Sequence, residues 1–123
     1  MTSTSTGTYL AIFIGDKESA RAKAFFALPE AERKAREQEG IAAWGAWMQK
    51  HHDAVVGQGG PLGKTKRVSQ AGVADVSNQM GGFVVVRAES HEAAARLFEK
   101  HPQFTIFPGD GVEVMPVLPI PGG

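Results

Sequence analysis

The sequence predicts an α+β domain of the ferredoxin-like class, an antiparallel sheet with two main helices on one face. Short β-prone segments and helical segments follow one another as strand, long helix, short strand, hairpin, strand, helix and strand. The first strand and the strand after Gly81 are continuous apolar runs, which is typical of strands buried inside a sheet. We therefore expect the two helices to pack on one side of a sheet built around these runs.

Length and composition exclude several classes of protein for this chain. A chain of 123 residues is expected to form one domain, and its 13 basic and 13 acidic residues give no net field that would attract nucleic acid or an anionic membrane. The absence of cysteine excludes disulfides and thiolate metal sites. Nothing resembles a signal peptide or a membrane-spanning segment, so we expect a cytoplasmic location.

Three regions are distinguished by their composition. Residues 1–8 are rich in Ser, Thr and Gly and are interpreted as a flexible N-terminal tail. Residues 9–118 hold all the periodic segments and form the predicted domain, beginning with the strand Tyr9 to Ile14. Residues 119–123 contain prolines and terminal glycines and are interpreted as a C-terminal tail.

Two helical segments follow the first strand. Lys17 to Ala27 has helical spacing and predicts a short helix or an ordered loop. It ends before Pro29, because the residue before a proline is disfavoured in a helix. Pro29 suits the first turn of a longer helix, which begins with charged residues and becomes apolar later. Its apolar positions recur on one side, which we expect to pack on the sheet: Ile41, Trp44 and Met48.

The middle of the chain contains little α-helical pattern. Residues 54–56 form a short strand candidate, and residues 57–63 are rich in glycine and predict a loop. This loop lacks the ending and the following apolar helix of a phosphate-binding loop, so nucleotide binding is not predicted. Residues 65–69 and 73–76, separated by a polar segment with Gly72, predict a hairpin.

The last third has the clearest pattern. Phe83 to Val86 predicts a buried strand, and Ser90 is a favourable N-cap for a helix that we expect to continue to about Pro102. Val112 and Val114 then alternate with polar or flexible residues, as in a half-buried strand.

Histidines provide the candidate chemistry, because imidazole titrates near neutral pH. His52 and Asp53 stand at the end of the long helix, where they serve either as an acid/base pair or as helix-capping groups. His101 precedes Pro102 in a loop, where acid/base work in a cavity and simple capping are both open. The side chains expected to bind a ligand in such a cavity are Trp44, Met48, Phe104 and Phe107. Because the side chains of adjacent helical residues point about 100° apart, His52 and Asp53 are poorly placed to bind one metal ion. No metal or cofactor site is predicted.

Several segments together resemble one known family. They are Trp47 to Lys50, Val55 to Gly63, Met80 to Phe83, Ala88 to Ala94, His101 to Phe104 and Val112 to Val117. From about residue 9 to residue 117 the chain is similar to the YCII-related proteins, including the group with a DGPF signature. The resemblance implies a ferredoxin-like fold of the dimeric α+β barrel class. The DGPF position itself holds Gln70-Ala71-Gly72-Val73, so no function attached to that signature is carried over.

The resemblance also bears on chemistry. Family members with a proposed acid/base pair place a histidine early in the first helix, a position that falls near Gly40 and Ile41 here, and an aspartate near its end, where this chain has Asp53 or the adjacent His52. Two functions are left open: a lyase or isomerase that uses His101 or His52, and a non-catalytic module that binds an apolar or aromatic ligand. Because two helices cover only one face of the sheet, we expect a homodimer in which two open sheet faces meet.

Overall fold

The structure is a computed structural model that describes residues 7–121. Its strands are β1 (Gly7–Ile14), β2 (Val55–Pro61), β3 (Thr65–Ser69), β4 (Gly72–Val76), β5 (Met80–Ala88) and β6 (Gly111–Pro116). Its helices are α1 (Ala20–Phe26), α2 (Glu30–Lys50), α3 (His91–Arg96) and α4 (Pro102–Thr105). None of these helices is both long and apolar enough to cross a membrane.

Four strands form the main sheet, in the order β2-β5-β1-β6, and every neighbouring pair is antiparallel. Numbered as the four sheet strands in chain order, this arrangement is 2-3-1-4, the ferredoxin-like order. The continuous apolar runs predicted as buried strands are β1 and β5, and they occupy the centre. The predicted α+β fold is confirmed.

The core lies between one face of this sheet and the helices. Alternate residues of the two central strands point towards α2 and α3, and β1 pairs with β5 so that these positions face one another, as in Ala11 opposite Val84. The buried apolar cluster consists of Tyr9, Ala11, Phe13, Trp47, Val84, Val86, Ala94 and Phe98. Ser90 caps α3 as predicted, with its hydroxyl accepting a hydrogen bond from the Ala93 N–H at 3.0 Å.

The opposite face of the sheet carries the other alternate residues and no helix covers it within residues 7–121. The register places Leu10 opposite Val85 and Ile12 opposite Phe83 on this face. All four are partly exposed. We call this surface the open face; it is apolar over the two central strands.

The predicted hairpin is present as β3 and β4, which pair only with each other. It projects from the domain, and its paired valines Val68 and Val73 are 76% and 68% exposed. At its base, the carboxamide of Asn78, which follows β4, donates a hydrogen bond to Oγ1 of Thr65, the first residue of β3, at 3.1 Å.

Several boundaries differ from the prediction. β1 begins at Gly7, so two residues assigned to the flexible tail belong to the sheet; the rest of that tail, residues 1–6, and residues 122–123 lie outside the described part of the chain. β2 extends through the expected glycine-rich loop to Pro61, with register shifts between Val55 and Gly57 and between Gly57 and Gly60. The helix expected to reach Pro102 ends at Arg96.

Candidate ligand-binding cavity

A cavity of about 510 Å³ opens between α2, the segment after α3 and the β2 end of the sheet. Its volume lies within the range of about 300–1,000 Å³ that is usual for small-molecule sites. The lining residues are Phe13, Ile41, Trp44, Met48, Gln58, Gly59, Gly60, Pro61, Gly81, Gly82, Phe83, Gln103 and Phe107. This lining is mostly apolar and aromatic. Its polar side chains are two carboxamides, and none of the described residues that line it is titratable.

The long helix supplies one wall. Ile41, Trp44 and Met48 are spaced three and four residues apart and line the cavity from one side of α2. Trp44 and Met48 also pack against the core, as predicted, whereas Ile41 is 66% exposed, so the prediction that it packs on the sheet is wrong. Trp44 packs edge-on against Phe13 of β1, with ring centroids 5.0 Å apart. The cavity is therefore bounded by rigid aromatic groups fixed on a helix and a central strand.

Glycines form the sheet side of the cavity. A Cβ atom on Gly82 would lie 3.2 Å from the Gly60 carbonyl oxygen, so two neighbouring strands approach closely there. Gly59 adopts a φ of 61° within the irregular part of β2, and a side chain at this position would collide with the Phe83 carbonyl. The glycine-rich segment thus builds an irregular strand that leaves space beside α2.

The segment after α3 forms the remaining wall, and two arginines of α1 and α2 hold its backbone in place. The Arg21 guanidinium of α1 donates hydrogen bonds to the carbonyls of Phe104, at 2.6 Å, and Gly109, at 2.9 Å. Arg36 of α2 donates to the Ile106 carbonyl at 3.1 Å. Because these carbonyls flank Phe107, the two arginines fix the backbone that places its ring in the cavity.

A direct hydrogen bond joins two walls. The Trp44 indole Nε1–H donates to Gln103 Oε1 at 2.9 Å, across 59 positions in the sequence. Gln103 belongs to the short helix α4, where its backbone N–H donates to His101 Nδ1 at 3.0 Å. The imidazole of His101 is thus the N-cap of α4 and positions the glutamine.

His101 itself is fully buried behind the cavity wall. Its ring centroid lies 4.4 Å from that of Trp44, 4.9 Å from those of Phe13 and Trp47, and 5.9 Å from that of Phe98. Since Nδ1 accepts a hydrogen bond, the neutral ring carries its proton on Nε2, which has no partner among the described residues. Burial, and secondarily the nearby His51, lower the pKa of His101 to about 4, so the ring is neutral at pH 7.

The histidines and the aspartate at the end of α2 lie elsewhere. His52 and Asp53 contact each other, with Nδ1 and Oδ1 3.4 Å apart, but their side chains are 86% and 107% exposed. His51 is the C-cap residue and packs against Trp47 with ring centroids 4.8 Å apart. Partial burial and the neighbouring Lys50 lower the pKa of His51.

The structure separates the residues that the sequence singled out. Trp44, Met48 and Phe107 line one cavity, whereas Phe104 is not among the lining residues. His101 touches the back of the wall, and neither it nor His52 or Asp53 reaches the cavity, so the structure does not bring the three together. Among residues 7–121, no three His, Asp or Glu side chains form a cluster suited to a metal ion.

Sequence reasoning did not select Gln58, Gln103 or Phe13 as site residues. Phe13 was visible only as part of an apolar strand, and the sequence does not show which strand position borders a cavity. Gln103 carries a weak signal, a polar residue between a His-Pro pair and an aromatic residue. Its partner Trp44 is too distant in sequence for any local pattern to connect the two.

The fold and the cavity together define a class: a ferredoxin-like α+β domain with a ligand-sized cavity between its long helix and its sheet. The family follows from the sequence comparison. The model of the YCII-related domain matches residues 9–121, and the chain therefore belongs to the YCII-related family. Among curated proteins, no sequence is significantly similar to this chain.

A solved structure has the same fold. It is 5-chloro-2-hydroxyhydroquinone dehydrochlorinase (TftG) from Burkholderia phenoliruptrix AC1100, in complex with 2,5-dihydroxybenzoquinone. The two chains are 16% identical with a TM-score of 0.50, and the match covers 88% of this chain and 90% of the other. At this identity the likeness establishes the shared fold.

Proposed function

We propose that this protein binds a small aromatic molecule in the cavity between α2 and the sheet. One observation carries the proposal: a ligand-sized space is lined by aromatic and apolar side chains, with two carboxamides as its polar side chains and no titratable group among the described lining residues. Such a lining favours a flat, uncharged compound, because a buried charge without a partner is costly. The quinone-type ligand in the structure of the dehydrochlorinase supports a ring of this size.

Filling the cavity tests the proposal. The probes are 2-naphthol and 1-indanone, followed by saturation-transfer NMR and by tryptophan fluorescence, since Trp44 lines the site. For ligands of this size we expect a Kd of about 0.1–1 mM, from about 0.4–0.5 kcal/mol of binding free energy per non-hydrogen atom. Met48→Trp should weaken both probes at least about tenfold, because the larger ring occupies the space that they need.

The matched control is Gln49→Trp, which adds the same side chain at the neighbouring, exposed position of α2. It should leave both affinities within about twofold of the original, a change of less than about 0.5 kcal/mol. Absence of binding to the unaltered protein, or equal binding by the Met48→Trp variant, would show that the cavity is not the ligand site.

Lyase or isomerase chemistry at the same cavity is the second candidate function. It is favoured by the dehydrochlorinase activity named for the structural neighbour. The histidines predicted for acid/base work do not line the cavity, since His101 is buried behind Trp44 and His52 is exposed, so either one would have to act through a group or a water between it and the substrate.

Chloride release from 5-chloro-2-hydroxyhydroquinone, measured with a chloride electrode, tests this second candidate. If a histidine moves the proton, His101→Ala or His52→Ala should lower turnover by about 100-fold or more. Turnover that is unchanged in both variants would rule out a histidine acid or base, and absence of chloride release from the unaltered protein would exclude this substrate.

We also propose that the protein is a homodimer whose two open faces meet. The open face is apolar at its centre, and it carries one positive and one negative side chain, Arg87 and Glu113, neither of which forms an ion pair within residues 7–121. A two-fold interface uses the same patch on both copies, and a face with both charges is suited to such self-association. Sedimentation velocity at micromolar concentration should give a mass near two chains.

A further inference from the structure

We propose that Gln103 selects the ligand of this cavity by presenting an oriented amide NH₂ group, so that the ligand is a neutral aromatic compound bearing an acceptor oxygen, such as a ketone or quinone carbonyl. This inference rests on the proposed function, since it concerns the same cavity. It assigns Gln103 a binding role that the histidines of the chain do not have.

The orientation of the carboxamide follows from its partner. The oxygen and nitrogen of a glutamine side chain have similar shapes, but an indole N–H can only donate. Trp44 Nε1 lies 2.9 Å from the terminal atom of Gln103 that faces it, and that atom must be the oxygen, because the flipped group would place two donors against each other. The NH₂ group is consequently the free end of the side chain.

The backbone of Gln103 is also held on both sides. Its N–H donates to His101 Nδ1 at 3.0 Å, and its carbonyl accepts a hydrogen bond from the Gly109 N–H at 2.9 Å. Within residues 7–121 the side-chain NH₂ donates to no protein atom, although the residue lines the cavity and is only partly exposed. A fixed donor without a partner is matched by an acceptor on the ligand.

The remaining lining disfavours an anionic ligand. A carboxylate or phosphate would enter without a cationic side chain among the described lining residues, and it would have to lose its hydration against aromatic rings. Gln58, the other carboxamide, is exposed on β2 and has no side-chain hydrogen bond in the described part of the chain, so nothing fixes which of its ends faces the cavity. Gln103 is thus the oriented polar group of the site.

Two probes that differ by one oxygen test this inference, namely 1-indanone and the parent hydrocarbon indane. Gln103→Glu is nearly isosteric and keeps an oxygen for the Trp44 indole, but at pH 8 it replaces the NH₂ donor with a second acceptor. The ratio of indanone affinity to indane affinity should fall about tenfold in this variant. Gln38→Glu, the same change at an exposed position of α2, should leave the ratio unchanged.

NMR of the unaltered protein provides a second measurement. The side-chain amide protons of Gln103, assigned by their loss in Gln103→Glu or from three-bond correlations, should shift downfield with indanone and not with indane. If the amide does not shift, or if Gln103→Glu weakens both probes equally, the inference is overturned while the proposed ligand site stands. If neither probe binds the unaltered protein, the proposed function fails and the inference fails with it.

Discussion

At the scale of single residues, His101 links stability to pH. The neutral imidazole fills a box of four aromatic rings and accepts the hydrogen bond that begins α4. Because burial lowers its pKa from 6.5 to about 4, the unfolded chain takes up a proton first as the pH falls. The stability that the neutral ring contributes is therefore complete above about pH 6.5 and is lost as the pH falls towards 4.

Replacing this histidine should flatten the acid side of the stability profile. The unaltered protein should lose up to about 1.4 kcal/mol of unfolding free energy per pH unit from this group between pH 6.5 and 4. In His101→Phe this contribution is absent, although the lost hydrogen bond to Gln103 lowers stability at pH 7 by about 1 kcal/mol. Urea unfolding at a series of pH values measures both effects.

His52→Gln is the control, because it removes an exposed histidine from the same domain. It should keep the acid dependence of the unaltered protein. Identical slopes for the His101→Phe variant and the unaltered protein would contradict the assignment of a neutral, buried His101.

The sequence predicts the position of some of the cavity residues but not of His101. Trp44 and Met48 were predicted as ligand contacts because helical spacing shows which positions share a face. The same rule applies to Trp44 and Trp47, which are three residues apart and therefore neighbours on the helix surface, and their ring centroids lie 6.4 Å from each other. Whether His101 faces the cavity or lies behind it depends on the path of the segment from residue 97 to residue 110, which no local pattern specifies.

At the scale of elements, two glycines in α2 have different roles. Gly40 is buried, and a Cβ atom there would lie 2.5 Å from Cζ of the cavity-lining Phe107. A Cβ atom on Gly45 would have no neighbour within 4 Å. Helix propensity favours alanine over glycine by about 1 kcal/mol at both positions, so the difference between them isolates the contact with Phe107.

We expect Gly45→Ala to raise the unfolding free energy by about 0.5–1 kcal/mol. Gly40→Ala should be less stable than Gly45→Ala by about 1–3 kcal/mol, because the Phe107 ring must move. It should also alter the binding of indanone, whereas Gly45→Ala should not. Chemical denaturation and the NMR titration measure these effects, and equal stabilisation by both substitutions would show that Gly40 is not needed for close packing.

The elements bounded by clear turn or cap residues could be predicted from the sequence. The hairpin and the strand-helix-strand unit after Gly81 have turn residues, an N-cap and a clear change of period. The glycine-rich part of β2 was predicted as a loop, because the hydrogen bonds that make it a strand come from β5. α3 ends early because the N–H groups of Leu97, Phe98 and Glu99 donate to the carbonyls three residues before them, as in a 3₁₀ turn. The chain then turns through Lys100, which has a φ of 57°, before Pro102 begins α4.

At the scale of the whole molecule, the proposed homodimer rests on the open face of the sheet. The fold itself was predictable, since the alternation of elements leaves few arrangements of a four-stranded antiparallel sheet. The pattern of one chain predicts that a face of the sheet lacks a helix, and the homodimer is our proposal from that feature.

A charge at the centre of this face should separate the proposed dimer. Ile12 is paired with Phe83 on one side and with Glu113 on the other, in the middle of the open face. Ile12→Lys should give a mass near one chain in sedimentation velocity, because removing a lysine from water at the centre of the interface costs more than its attraction to the neighbouring Glu113 returns.

Ala46→Lys, which adds the same charge to an exposed position of α2, should leave the mass unchanged. A mass near one chain for the unaltered protein, or an unchanged mass for Ile12→Lys, would show that the open faces do not meet.

The hairpin of β3 and β4 can become longer or shorter without disturbing the rest of the domain. β3 and β4 share no ladder with the main sheet, and a two-residue turn, Gln70-Ala71, connects them. Residues added or removed in opposing pairs would lengthen or shorten this ribbon and preserve its register. The strands and helices around the cavity would keep their positions, so the reach of the hairpin and the shape of the cavity can vary independently.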